Sequence, residues 1–116
     1  MKINWPSANK QERKLLEGIL ILTDGRNELL EFLFDPKSPR LRKRAGILRE
    51  DSWRFSNEDI LLIHAALDLW SGSGHLEFWD CLETWDSKSW MQFMAAISTI
   101  KDIDLTVASN RILPSD

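Results

Sequence analysis

The stretch Ser56 to Gly74, SNEDILLIHAALDLWSGSG, constrains the fold of this chain more than any other. At its start Ser56 can accept a hydrogen bond from the backbone N–H of Asp59 while the Asp59 carboxylate reaches back, a variant of the capping box. Phe55 and Ile60 occupy the positions of a hydrophobic staple. Within the stretch, Ile60, Leu61, Leu62, Ile63, Ala65, Ala66, Leu67, Leu69 and Trp70 leave Asn57, His64 and Asp68 to define a polar strip. A helix that is apolar on most sides is a buried one, and the remaining helices are expected to pack around it. Gly72 and Gly74 are expected to end it with positive φ, and Ser71-Gly72-Ser73-Gly74 offers no side chain to continue the apolar face.

A chain of 116 residues is long enough for one hydrophobic core, so a single domain over residues 1–116 is expected. No apolar run approaches the roughly 20 residues that span a bilayer, and Met1 to Pro6 lacks the apolar block of a signal peptide. A cytoplasmic protein without membrane association is the expectation. The single cysteine, Cys81, permits no internal disulfide and no zinc site built on a cysteine pair.

The predicted elements are all helical. Ser7 can cap a helix over 8–22 in which Leu15, Leu16, Ile19 and Leu20 share a face. Gly18 weakens that helix by about 1 kcal/mol, and Ile19, Ile21 and Thr23 before Asp24-Gly25 leave a hairpin over 19–34 as the alternative. A short helix over 26–34 follows, striped by Leu29, Leu30, Leu33 and Phe34 and stopped by Asp35-Pro36. Ser38-Pro39 reads as the start of another, reaching Arg49 with Leu41, Ala45 and Leu48 on one side and basic residues on the others. After the central helix at about 57–70, Phe78, Leu82 and Trp85 fall on one face of a helix over 76–84. Asp86 or Ser87 then caps a helix over 87–100 carrying Trp90, Phe93, Met94, Ile97 and Ile100. Residues 102–116 read as an irregular tail, docked through Ile112 and Leu113. The fold class is therefore all-α, with five or six short helices around the central one.

Few residues suggest chemistry. Gly72-Ser73-Gly74-His75-Leu76-Glu77-Phe78 resembles the second half of an EF-hand calcium loop. That alignment puts Leu69 at the first ligand position, where calcium needs a carboxylate, so the glycines read as a helix stop and no metal site is expected. His64 and Asp68, four apart on the helix, are the only pair placed for proton transfer, and the enzyme reading would rest on them. No nucleophile motif, P-loop or dinucleotide fingerprint accompanies them, so neither a cofactor nor catalysis is expected. Asp80 and Glu83 beside Cys81 disfavour a reactive thiolate.

Charge is unevenly spread, with a net of −1 over residues 1–36, +5 over 37–54 and −7 over 55–116. The basic run supports an alternative in which Arg40, Arg42, Lys43, Arg44 and Arg49 contact nucleic-acid phosphates from one helix, with Trp53 as a stacking surface. The preferred expectation is a non-catalytic interaction or regulatory module that binds another protein. Its partner surface would be the acidic, Trp-bearing region 76–90, with Trp79, Glu83, Trp85 and Asp86 as the contact residues. Oligomeric state is not legible in this pattern.

Overall fold

In the computed structural model, which describes residues 2–103, helix α4 (Asn57–Ser71) buries Leu61, Leu62, Ile63, Ala65, Ala66 and Leu67. This is the all-round burial its composition demands. Ser56 caps it by accepting from the Asp59 N–H at 3.2 Å. The Asp59 carboxylate does not reach back as expected. It takes two bonds from the Arg26 guanidinium, at 2.6 and 2.8 Å, because a bidentate partner outcompetes one backbone N–H. Arg26 in turn stands at the N-cap of α2, so this pair ties that helix to the start of α4.

The order is α1 (Lys10–Leu22), α2 (Asn27–Leu33), α3 (Ala45–Asp51), a 3-10 turn (Ser52–Arg54), α4, α5 (Phe78–Thr84) and α6 (Ser87–Lys101). The chain forms one compact all-α fold. Asn9 rather than Ser7 caps α1, in a full capping box with Glu12. Residues 19–22 and 27–33 are helical, joined by a turn in which Asp24 and Gly25 are both left-handed, and the hairpin alternative is set aside. Gly18 earns its place by tertiary contact: a Cβ there would lie 2.5 Å from the Ile100 side chain and 3.1 Å from the Ala96 carbonyl oxygen. The glycine lets α6 lie directly against α1.

The expected helix from Ser38-Pro39 does not form. The Asp35 carboxylate accepts the N–H groups of Lys37 and Ser38 at 2.8 and 3.0 Å, and the chain turns so that Leu41 pairs with Phe34 in an isolated antiparallel bridge. The side-chain bonds at Asp35 replace the first turn of a helix. Helix begins only at Ala45, which takes Arg40, Arg42 and Lys43 off any helix face.

Two aromatic groups flank α4. Trp5, Phe34 and Trp70 meet with ring centroids 5.1–5.6 Å apart, and the Trp5 indole N–H donates to the Asp35 carbonyl at 2.8 Å. Trp85, Trp90 and Phe93 form the second group, 5.1–6.0 Å apart. Residues 104–116, which include the expected docking residues Ile112 and Leu113, lie outside the described residues. No helix among the described residues is long and apolar enough to cross a membrane.

Candidate partner-binding surface

Helix α5 has only seven residues, and its apolar side chains Phe78, Trp79, Cys81 and Leu82 spread over about 160° of its circumference, wider than one neighbouring helix covers. A helix this short packing on α4 can bury one stripe. Cys81 and the following Trp85 take it. Trp85 is 5% exposed, and its indole N–H donates to the Glu58 carbonyl at 3.3 Å. The expected inward face of Phe78, Leu82 and Trp85 is therefore turned by about 60°. Phe78 and Leu82 stand 58% and 60% exposed, and Trp79 68%.

Phe78 and Trp79 lead Leu82 by four and three positions, so the three share one surface of the helix. Phe78 still meets the Phe93 ring edge-on at 6.0 Å, which ties the patch to α6, where Met91 and Met94 are exposed. Glu77, Asp80 and Glu83 are exposed over the rest of the helix surface, Glu83 nearest to Trp79. On the other side of α5 from the patch, Asn57, Ile60, Leu61, Asp80 and Thr84 line a shallow hollow of about 300 Å³ between α4 and α5. An apolar floor with a carboxylate at the rim suits the aliphatic stem and charged head of a lysine or arginine.

Of the four expected contact residues, Trp79 and Glu83 are on this surface. Trp85 is corrected to the core, where its size and its neighbours Trp90 and Phe93 place it. Asp86 is exposed, but its carboxylate caps α6 by accepting the Ser89 N–H at 2.9 Å. Phe78 and Leu82 were missed as surface residues. The signal was present: five large or apolar residues spread over a helix too short to bury more than two. Burial and the neighbouring Asp80 push the Cys81 thiol up to about 11, so it is an inert core group.

The basic segment is dispersed by the turn at Asp35. Arg40 pairs with Asp35 at 3.4 Å and Lys43 with Asp51 at 3.3 Å, while Arg42 and Arg49 donate to the carbonyls of Glu31 and Ser73. Arg54 lies over the Phe32 and Phe55 rings at 5.0 and 5.2 Å. Arg42, Lys43 and Arg54 surround a cleft of about 570 Å³ together with Glu28, Glu31 and Asp51. Three carboxylates among three cations make a poor phosphate cradle. Arg44, at the N-cap of α3, and Trp53, 78% exposed, remain outward.

His64 and Asp68 do not form a proton-transfer pair. Both Asp68 oxygens are engaged, accepting the N–H groups of Gly74 and Leu76 at 2.8 Å each, and the His64 Nε2 is buried without a hydrogen-bond partner. The Ser71–Gly74 turn is thus held to α4 by the Asp68 carboxylate. No group of side chains suited to a metal occurs among the described residues.

Burial, and then Arg49 and His75, hold the His64 imidazole below its ordinary value, against the opposing pull of Asp68. The unfolded chain therefore binds the proton more readily than the folded one, and stability is lost as pH falls through about 6.5 toward the folded value. Urea midpoints measured at pH 7 and pH 5.5 should differ less for His64→Gln than for the wild type. Equal differences would assign the acid sensitivity elsewhere.

No protein-family model, curated protein or solved structure matches the chain.

Proposed function

We propose that this protein is a non-catalytic interaction module whose α5 surface docks a basic, apolar segment of a partner protein. The observation that carries the reading is the exposure of Phe78, Trp79 and Leu82 together on a helix whose remaining exposed surface carries Glu77, Asp80 and Glu83. Large apolar side chains clustered in the open mark contact surfaces, and an acidic rim selects partners by charge and speeds their encounter. Tryptophan at the centre of such a patch is the residue type that most often dominates binding energy.

The test is a titration with two synthetic amphipathic peptides, one pairing leucine with lysine and the other leucine with glutamate, followed by the indole N–H resonances in an NMR spectrum. The lysine peptide should shift the Trp79 resonance and leave Trp5 and Trp70 in place, and Trp79→Ala should weaken binding at least tenfold, as for a hot-spot residue. Equal binding of the glutamate peptide, or no response at Trp79, would overturn the reading.

A second reading, phosphate binding by the basic segment, is favoured by one observation, the exposed Trp53 next to Arg54. It requires single-stranded nucleic acid to stack on Trp53, with affinity that falls steeply as salt rises. Titration with an oligonucleotide at two salt concentrations tests it, and binding flat in salt would count against it.

A further inference from the structure

The chain carries its own complement to the α5 surface. Residues 37–54 have a net charge of +5, and residues 76–90, with Glu77, Asp80, Glu83 and Asp86 against Lys88, have −3. Each region exposes one tryptophan, Trp53 in the first and Trp79 in the second, and Ile47 is exposed beside the basic one. Within one chain the ion pairs of the basic segment run to sequence neighbours, Arg40 to Asp35 and Lys43 to Asp51. In both the cation is exposed, so its side chain can leave the pair at little cost.

We propose that α5 of one molecule binds the basic Trp53 face of a second copy. This rests on the reading of α5 as a docking surface and names what docks there. In the pairing, Lys43 and Arg44 of one copy meet Asp80 and Glu83 of the other. Trp53 packs among Phe78, Trp79 and Leu82.

The two faces lie on different elements that both adjoin the start of α4. Trp53 stands three residues ahead of the Ser56 N-cap, and the Trp85 indole following α5 bonds Glu58 in the first turn. The contact pairs unlike faces, so it closes as a dimer where two copies exchange both contacts and extends where each copy makes one.

Sedimentation velocity of the full chain over a range of concentrations, at about 50 mM and about 500 mM salt, tests the proposal, since screening at the higher salt shortens the reach of these charges severalfold. The expected result is association that grows with concentration and weakens at least tenfold in high salt. The variants Lys43→Glu/Arg44→Glu and Asp80→Lys/Glu83→Lys should each be monomeric alone and associate when mixed, because each then offers the other complementary faces. Circular dichroism checks that both variants are folded. If either is not, the exposed single substitutions Trp53→Ala and Trp79→Ala replace them, each expected to weaken association.

A wild type that stays monomeric at low salt overturns the proposal. So does association lost on changing the α5 face but indifferent to changing the basic face, which would indicate a symmetric contact through α5, and so does a mixture that fails to associate. The lysine peptide separates the two readings. If Lys43→Glu/Arg44→Glu still binds it at Trp79 while the wild type does not self-associate, the docking surface stands and only the second copy is excluded. If the peptide does not bind at all, the α5 reading itself fails.

Discussion

Replacing Trp85 by alanine should remove about 3–5 kcal/mol of stability, whereas Trp79→Ala, six residues earlier in the chain, should change it by less than about 0.5 kcal/mol. Trp85 is enclosed by Trp90 and Phe93 at 5.1 and 5.5 Å, and its indole N–H satisfies the Glu58 carbonyl in the first turn of α4. Truncation there leaves a cavity among aromatic rings and an acceptor without its donor. Trp79 has most of its surface in water, so its removal takes away little that folding had buried. Urea unfolding of the two variants measures both effects. If Trp79→Ala proved as costly as Trp85→Ala, Trp79 would be a core residue and the α5 docking surface would lose its anchor. The same pair separates stability from binding, because Trp79→Ala should leave the fold intact while weakening peptide capture and self-association.

Gly74→Ala is the second large effect, and its cause differs from the one its sequence context suggests. The residue does not adopt the positive φ of Gly72, which is the left-handed cap of α4. A Cβ on Gly74 would lie 1.8 Å from the His64 carbonyl oxygen and 2.8 Å from the Asp68 nitrogen, both backbone atoms of α4 that have no rotamer to move aside. The turn would have to lift off the helix, breaking the bonds from the Gly74 and Leu76 N–H groups to the Asp68 carboxylate. A loss of about 3 kcal/mol or more follows from the overpacking and the lost charge-assisted bonds together. Thermal unfolding checks it. A Gly72→Ala variant is the useful comparison. Its Cβ meets nothing within 4 Å and its penalty is the left-handed backbone alone, about 1 kcal/mol. Equal losses at the two positions would argue that conformation, not close approach, governs Gly74.

The comparison of Gly72 with Gly74 illustrates what a sequence can and cannot convey. Both were legible as a stop for the central helix. A left-handed cap is a local property, decided within a few residues by the absence of a Cβ, and Gly72 conforms to it. Contact with a helix turn ten residues earlier depends on the path of the chain after the turn, which no local pattern encodes. The half-formed capping box at Ser56 has the same origin. Ser56 meets the Asp59 N–H because the two are neighbours in sequence, but the Asp59 carboxylate was free to choose, and Arg26, 33 positions away, offered the stronger bond.

Legibility was likewise uneven in the candidate site. Trp79 and Glu83 were picked out by their acidic, aromatic neighbourhood, and both side chains are exposed. Trp85 was not separable from Trp79 by composition, since both are tryptophans beside carboxylates and both fit either face of a short helix. The choice between them was made by packing. Cys81 is small enough to let α5 approach α4, and Trp85 then fills the space at the end of the helix, which turns Phe78 and Leu82 outward. The basic run failed as a helix face for a local reason that was present in the residues: Asp35 is an acceptor placed two and three positions ahead of free N–H groups, and that turn competes with helix initiation at Ser38.

The amino-acid sequence by itself determined that this chain is all-α, where α4 starts and stops, and that α4 is the buried centre. It could do so because periodicity, capping and turn chemistry act over one or two turns of chain. Only the tertiary structure decided which faces of the shorter helices are covered. α5 has more apolar surface than one neighbour can bury, so its inward stripe was chosen by the shape of α4 and by Trp90 and Phe93. The same choice left Phe78, Trp79 and Leu82 in the open.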